Sequence, residues 1–259
     1  MKWIERNKDL RENPESLLDG CKTVVSLAYP YSPGIPCTPD GYRTARYSEP
    51  DKIDYHNRLR KLGKSLVKSL GEAYQGSRSR VCVDSAPIIE RSFAYEAGIG
   101  FIGKNNMCIL PGKGSYFFLV EVLTTVDMDF EEKRPLQNQC GACTRCMDAC
   151  PTGALERPFS VDASKCLSYL TIEYQGEVTD EQAALMGDCF FGCDICQEVC
   201  PFNSVKQERK VCLPSTEKIL EMDLKAFSGK FGKTALARPG LEKIKSNIAK
   251  VRKSKPTAS

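Results

Sequence analysis

Cys140-Gly-Ala-Cys143-Thr-Arg-Cys146-Met-Asp-Ala-Cys150-Pro151 and Cys193-Asp-Ile-Cys196-Gln-Glu-Val-Cys200-Pro201 decide the reading of this chain. The first run has the spacing C-x2-C-x2-C-x3-C-P, in which three thiolates hold one [4Fe–4S] cluster and the fourth ligates a second. Short gaps let successive sulfurs converge on one cubane, while the x3-C-P step starts a helix that carries the last thiolate away. The second run repeats the two-residue gap and the x3-C-P step, as a two-cluster module requires. Crossing the runs assigns Cys140, Cys143, Cys146 and Cys200 to one cluster, and Cys150, Cys193 and Cys196 to the other. One ligand is then missing. Phe190 stands where the second run would place its first cysteine, and spacing leaves Cys166 and Cys189 competing for the role. Paired C-x2-C motifs also suit tetrahedral zinc, but the doubled C-x3-C-P has no purpose in a zinc ribbon. A disulfide scaffold fits a chain of this size poorly.

With 259 residues, 41% hydrophobic and 27% charged, the chain can bury a core and form one large or two modest domains. Eight of its fourteen cysteines go to the clusters, leaving Cys21, Cys37, Cys82, Cys108, Cys212 and the spare one of Cys166 and Cys189. That many free thiols point to a reducing compartment. No apolar run reaches the length of a membrane span, and the start Met1-Lys-Trp-Ile-Glu-Arg6 lacks a secretory h-region and a twin-arginine signal. A cytoplasmic protein without membrane contact is expected. The net charge of +4 is unevenly spread, because Cys140 to Phe202 carries ten acidic and three basic residues, leaving +11 for the rest. An acidic electron-transfer module is joined to a basic remainder, where a polyanion would bind. Ordinary solvated surface is the plainer alternative.

Along the chain, Glu5 to Glu12 reads as a charged helix ending before Pro14, and Thr23 to Ala28 as a buried strand. Four prolines between Tyr29 and Pro39 predict a loop. Leu59, Leu62, Leu66 and Leu70 recur at helical spacing as a core face. His56, the single histidine, reads as a hydrogen-bonded structural residue rather than a ligand. Arg80 to Asp84 reads as a strand with Asp84 at its C-terminal end, which in α/β sheets faces the ligand crevice. A helix is predicted from Ser85, with Pro87 in its first turn, to about Ala97. Gly98-Ile-Gly100-Phe-Ile-Gly103 follows a helix rather than a strand, so it is not a dinucleotide fingerprint. Its glycines are expected to let the backbone approach a large flat ligand. Met107 to Leu110 and Tyr116 to Thr125 suggest a hairpin around the Pro111 to Gly114 turn, and Asp127 to Asn138 a charged linker. Lys243, Lys245, Lys250, Arg252, Lys253 and Lys255 face a single acid, Glu242, in a basic tail for which solubility or disorder is the commoner explanation.

Four motifs stand in order: Val83-Asp84-Ser-Ala-Pro-Ile-Ile-Glu90-Arg91, Gly100-Phe-Ile-Gly-Lys104-Asn105, Cys166-Leu-Ser168-Tyr-Leu-Thr-Ile-Glu173 and Gly192 to Pro201. Together they closely resemble the epoxyqueuosine reductases, cobalamin and iron–sulfur enzymes of the last step in making the tRNA nucleoside queuosine. The match runs from Arg6 through Phe231 to Ala235. It implies a cobalamin-binding α/β (α+β) domain over residues 1–135, then a ferredoxin-like domain with two [4Fe–4S] clusters over 136–205. A short basic helical tail over 206–259 completes the chain. The resemblance gives the eighth cluster ligand as Cys166, leaves Cys189 spare, and makes Asp84 the general acid. It places cobalamin contacts at Arg46, Tyr47, Asp84, Cys108, Leu110 and Ser168.

The implied partners are tRNA carrying epoxyqueuosine and an external low-potential electron donor, with the chain a monomer. Electrons would pass through the two clusters to cobalamin, and an acid would protonate the departing epoxide oxygen. For that role Asp84 needs a raised pKa, expected from desolvation between corrin and protein; a helix N-cap is its structural alternative. Lys104, Arg91 and the tail lysines are candidate phosphate contacts. Relatives usually carry a further N-terminal segment, so a strand and a helix of the cofactor domain are expected to be missing. Long relatives grip tRNA with C-terminal helical repeats where this chain has its short tail. A cobalamin-dependent reductive dehalogenase is the nearest rival, but those enzymes use an export signal and a tyrosine donor. A plain ferredoxin-type electron-transfer protein would hold iron without cobalt and has no need of the Asp84 motif. A degenerate paralogue that binds tRNA without chemistry is the third alternative.

Overall fold

The structure, a computed structural model, describes residues 11, 13–32, 34–130, 134–203 and 210–254. The expected helix over Glu5 to Glu12 lies almost wholly outside the described residues, as do Arg6 and Lys255. In chain order come strands β1 (Thr23–Pro30), β2 (Ile35–Cys37) and β3 (Arg43–Thr44), helix α1 (Tyr55–Ala73), β4 (Ser79–Cys82) and α2 (Glu90–Glu96). Strands β5 (Phe101–Ile102), β6 (Cys108–Ile109) and β7 (Phe117–Thr124) follow, then helices α3 (Arg145–Asp148), α4 (Leu167–Ile172) and α5 (Asp180–Leu185). The described chain ends with β8 (Cys189–Phe191), α6 (Ile195–Glu198), β9 (Lys210–Cys212), α7 (Thr216–Glu221), α8 (Leu224–Phe231) and α9 (Gly240–Ser254). No helix among the described residues is long and apolar enough to cross a membrane.

Two compact units result. The first takes the described residues up to Pro30 and His56–Ala142; the second takes Tyr31–Tyr55 and the described residues from Cys143 onward. These limits differ from the expected 1–135, 136–205 and 206–259 division in three places. Residues 31–55 belong with the cysteine-rich half, residues 136–142 belong with the first unit, and the described C-terminal segment is part of the second unit rather than a tail.

The first unit is built on an antiparallel sheet in the order β1-β7-β4. Its central strand β7 is fully covered from Val120 to Thr124, as β-branched and apolar residues between two partner strands should be. Alternation puts Val81 and Val122 on one face, and Cys82, Glu121 and Leu123 on the other. Helix α1 closes on the first face so tightly that a Cβ at Gly63 would stand 2.4 Å from Val81. The buried stripe of α1 is therefore Leu59, Gly63 and Leu70, while Leu62, expected in the core, is 37% exposed. On the other face Leu17, Cys82, Ile88 and Leu123 form a core against which Val24 and Phe93 of α2 pack. The expected hairpin of β6 with β7 does not form. Both edges of β7 are occupied by β1 and β4, so β6 pairs with β5 instead. The glycines of Gly98–Gly103 serve that small pair: a Cβ at Gly100 would lie 2.5 Å from the Ile109 carbonyl oxygen. The close approach that Gly100 permits is between the chain's own strands.

The second unit carries a sheet in the order β8-β3-β2-β9, with parallel β8–β3 and β2–β9 pairs around an antiparallel centre. Part of the predicted proline loop is thus strand: β1 extends to Pro30, and β2 includes Pro36. A three-residue strand tolerates proline because one ladder donor is lost and extended backbone suits its ring. Helix α9 buries Leu241, Ile244, Asn247, Ile248 and Val251, spaced at three and four residues along one face. It packs on α4, α5, α7 and β8. Burial of each aliphatic side chain contributes about 2 kcal/mol. The lysines of its other face are partly engaged, since Lys250 and Lys253 each place Nζ 2.7 Å from Asp180 at the start of α5. The segment read as a loose basic tail is a wall of the unit.

Candidate functional site

In the first unit the chain leaves β4 at Cys82 and reaches Asp84 in left-handed backbone, φ +46°. A non-glycine residue holds that conformation only when its surroundings compensate. Here the Asp84 N–H donates to Glu90 Oε1 at 2.5 Å, and Asp84 Oδ2 lies 3.1 Å from His56 Nε2. The Asp84 side chain is 50% exposed and that of His56 14%, so the carboxylate presents one side to solvent and one to the imidazole. Helix α2 begins only at Glu90, with Ile89 as its N-cap. The expected helix start at Ser85 and the N-cap alternative for Asp84 are both corrected by this turn, which the Asp84–Glu90 hydrogen bond closes while Ile88 enters the core. Because the sheet is antiparallel, the crevice rule of parallel α/β sheets does not apply. The turn, not a strand end, delivers the carboxylate.

Protein packing desolvates two carboxyls close to Asp84 in the fold, Glu90 and Glu121. Burial pushes Glu90 up to about 7, and the neighbouring Asp84 charge adds to the rise. Burial pushes Glu121 up to about 9, with the Glu90 charge adding. Glu121 is fully buried at the centre of β7, and neither carboxyl oxygen has a hydrogen-bond partner among the described residues. The Ser26 hydroxyl, opposite it across the β1–β7 pair, is near enough only to temper the shift. Neither glutamate was singled out from the sequence. A carboxyl inside the apolar run Tyr116 to Thr125 was the available signal for Glu121.

Cys108 is buried in β6 with its thiol pushed up to about 11 by desolvation, and Leu110 pairs with Gly114 just beyond it. The Arg91 guanidinium donates to the Asn106 carbonyl. Lys104 Nζ donates to the Gly141 carbonyl at 2.6 Å. Both cations expected on phosphate are thus engaged with backbone. Asn138 accepts the Cys140 N–H at 2.9 Å and donates to the Ile102 carbonyl at 2.5 Å, so Lys104 and Asn138 together hold the loop that presents Cys140.

In the second unit Arg46 and Tyr47 stand on a single 3-10 turn, Arg46–Ser48. The Arg46 N–H donates to Asp194 Oδ2 at 2.6 Å, and Arg43 clasps Asp188 and Glu198 at 2.8 Å each. Burial lifts the Asp194 carboxyl to about 6. The Tyr47 ring lies between Tyr55 and Phe191, at 6.3 Å and 5.9 Å between centroids, and desolvation pushes its phenol up. A glycine is required beside it: Gly192 has φ +73°, and a Cβ there would stand 2.5 Å from Ala45. Ser168 sits in the first turn of α4, just after Cys166 at its N-cap. Asn247 of α9 ties the end of α4 to β8, donating to the Thr171 and Phe190 carbonyls at 2.8 Å and 3.0 Å.

The thiols of this unit respond to one another. Burial pushes Cys193 up to about 12, and the charges of Cys166 and Cys150 reinforce it. Cys196 is likewise raised by burial, then by Cys193, Cys166 and Cys146. Cys150 is opposed by burial, yet the Thr152 hydroxyl and the N–H groups of Leu155, Thr152 and Ala154 hold it below the usual thiol range. Cys189 also feels Cys193, but its Sγ lies 3.4 Å from the Phe191 and Gly192 carbonyl oxygens, within hydrogen-bonding reach of both. Among the described residues no three His, Cys, Asp or Glu side chains converge on a point as one tetrahedral ion requires.

Comparison with known proteins agrees with both halves. A family model described as epoxyqueuosine reductase QueG, DUF1730 matches residues 11–85, and one described as a 4Fe-4S double cluster binding domain matches 139–203. The chain is 37% identical to the epoxyqueuosine reductase of Leadbetterella byssophila, over 97% of this chain and 84% of that protein. With the Escherichia coli epoxyqueuosine reductase it shares 38% identity over 80% of this chain and 55% of the relative. Among solved structures, an epoxyqueuosine reductase from Streptococcus thermophilus superposes with a TM-score of 0.86 at 29% identity, covering 96% of this chain and 68% of that one. An epoxyqueuosine reductase bound to an epoxyqueuosine-modified tRNA stem loop gives 0.80 at 32%, covering 94% and 67%. A Bacillus subtilis epoxyqueuosine reductase, with a catalytic aspartate loop swung out of its active site, gives 0.79 at 32%, covering 92% and 66%.

Proposed function

The chain belongs to the epoxyqueuosine reductase family, and from that premise we propose how its residues carry out the reduction of epoxyqueuosine in tRNA to queuosine. The reaction removes the epoxide oxygen as water and leaves an alkene, consuming two electrons and two protons. A double-cluster domain that holds two [4Fe–4S] groups gives the electrons a route. Cys140, Cys143, Cys146 and Cys200 hold one cluster, and Cys150, Cys166, Cys193 and Cys196 the other. The Cys189 thiol lies within hydrogen-bonding reach of the Phe191 and Gly192 carbonyls, which supports Cys166 over Cys189 as the eighth ligand.

Cobalamin is the second cofactor of this reading, with contacts at Arg46, Tyr47, Asp84, Cys108, Leu110 and Ser168. The donor set fits it: the single histidine, His56, is bound to Asp84, so the protein offers the cobalt no imidazole, and a low-valent cobalt requires none. When bound, cobalamin supplies a strongly reducing, nucleophilic metal centre for the epoxide carbon. Asp84 supplies the proton for the departing oxygen. Its half-exposed carboxyl, held by the His56 ring on a turn that the Asp84 N–H closes onto Glu90, is the observation that carries this assignment. His56 orients the carboxyl by holding Oδ2. The electron donor is an external low-potential reductant, and the working species is a monomer.

Metal content tests the cofactor half of the reading. Anaerobic purification and reconstitution with cobalamin should give about eight irons, from two cubanes, and one cobalt per chain. Eight irons without cobalt would favour a ferredoxin-type electron-transfer protein instead.

A further inference from the structure

A tRNA that delivers its modified nucleoside to Asp84 must lay its phosphates on the protein close by, and several cations first expected to meet them are engaged within the fold. Arg91, Lys104 and Lys243 donate to backbone carbonyls, and Lys250 and Lys253 are paired with Asp180. We propose that helix α1 supplies the docking surface: Arg60, Lys61, Lys64 and Lys68 form a stripe that holds the tRNA phosphate backbone beside the reacting nucleoside. This rests on the reading of epoxyqueuosine-bearing tRNA as the substrate.

From Tyr55 to Gly71 the helix carries five basic residues and no acidic one. Arg60, Lys61, Lys64 and Lys68 are all exposed. At 3.6 residues per turn they fall within about 100° of arc, turned away from Leu59, Gly63 and Leu70, which face the sheet. Arg60, Lys64 and Lys68 follow one another at four-residue steps, so they rise by about 6 Å each time along one line. Among the described residues the side chains of Arg60, Lys61 and Lys64 have neither an ion pair nor a hydrogen bond. Lys68 reaches only Glu72, at 3.8 Å on open surface, a contact too exposed to compete with a phosphate.

The start of the same helix touches the proposed acid. His56, one residue into α1, places Nε2 3.1 Å from Asp84 Oδ2. Along the helix axis from His56, Arg60 stands about 6 Å away and Lys68 about 18 Å. With the reacting nucleoside at Asp84, flanking nucleotides lie within reach of these long side chains. Arginine and lysine contacts of this kind position a strand without reading its sequence, which leaves recognition of the modified nucleoside to the site at Asp84.

The test uses the full chain reconstituted with both cofactors, kept oxygen-free and without reductant so that nothing turns over. Binding of a fluorescent, epoxyqueuosine-bearing tRNA stem loop is followed by anisotropy between about 50 and 200 mM salt. The triple variant Arg60→Gln, Lys64→Gln, Lys68→Gln removes three charges with residues of similar helix propensity. Its Kd should rise by about tenfold or more, and the slope of log K against log salt should become shallower by about 2 to 3. The charge-keeping triple Arg60→Lys, Lys64→Arg, Lys68→Arg should retain the wild-type slope. So should Lys218→Gln, Lys225→Gln, Lys233→Gln, which removes three exposed charges from the second unit. A neutralised α1 stripe that binds with the wild-type Kd and slope overturns the proposal. Equal losses from the two glutamine triples also overturn it, because diffuse charge rather than a stripe would then hold the RNA. In either case conversion of the same stem loop by wild type, once reductant is added, leaves the substrate reading standing. A wild type that neither binds nor converts it overturns both.

Discussion

Replacing Glu121 by glutamine should stabilise the protein, and by an amount that grows with pH. The fully buried Glu121 carboxyl is pushed from 4.5 to about 9. Between those values the folded state keeps a proton that the unfolded chain has released, so folded protein loses stability as pH rises, by about 1.4 kcal/mol per unit. At pH 7 the accumulated loss is about 3 kcal/mol, and it levels off only above 9 at about 6 kcal/mol. Glutamine matches the neutral acid in size and polarity and has nothing to titrate. Anaerobic urea unfolding followed by circular dichroism at pH 5.5, 7 and 8.5 measures the difference. The gain of Glu121→Gln at pH 8.5 should exceed that at pH 5.5 by about 4 kcal/mol. Equal gains at all three pH values would refute the claim that Glu121 is folded as the neutral acid.

Other substitutions probe the remaining parts. Cys166→Ser should lose one cluster, about four irons by analysis, whereas Cys189→Ser should keep about eight; the opposite pattern would move the eighth ligand to Cys189. Ile248→Ala, at a fully buried position of α9, should lower unfolding stability by about 2–4 kcal/mol, and a neutral outcome would return the C-terminal helix to the status of a tail. Gly192→Ala, with a left-handed φ and a Cβ 2.5 Å from Ala45, should cost about 1–3 kcal/mol and disturb Tyr47 fluorescence; unchanged stability would remove the argument for a close approach there.

The cysteine runs were legible in the sequence because ligand spacing is a local constraint: three thiols must reach one cubane from a short stretch of chain. Thr23 to Ala28 and Arg80 to Cys82 were legible as strand for a similar reason, being runs rich in β-branched residues bounded by turns, although β1 runs on to Pro30 and β4 stops short of Asp84. What escaped depends on partners distant in the chain. Periodicity around Met107 to Thr125 suggests a hairpin, but β7 is claimed on both sides by β1 and β4, which no local signal announces. Pro87 reads as a helix start, yet the Glu90 carboxyl takes the Asp84 N–H and residues 84–89 stay outside the helix. The lysines between Lys243 and Lys253 read as a solvated tail. The stripe of Leu241, Ile244, Ile248 and Val251 was in the same sequence, and its burial depends on α4, α5 and β8 being there to receive it. Glu90 and Glu121 were missed because a carboxyl's burial is a property of the folded core, not of its neighbours in sequence.

The chemistry itself is tested most directly by nucleoside analysis. The reconstituted chain, a low-potential reductant and a tRNA stem loop bearing epoxyqueuosine are incubated without oxygen, and the digested nucleosides are read by mass spectrometry. Wild type should yield queuosine, one oxygen lighter than its substrate, while Asp84→Asn should bind the same iron and cobalt and leave the epoxide intact. A wild-type chain carrying both clusters and cobalamin that leaves epoxyqueuosine unchanged, or an Asp84→Asn variant that converts it fully, would contradict the assignment.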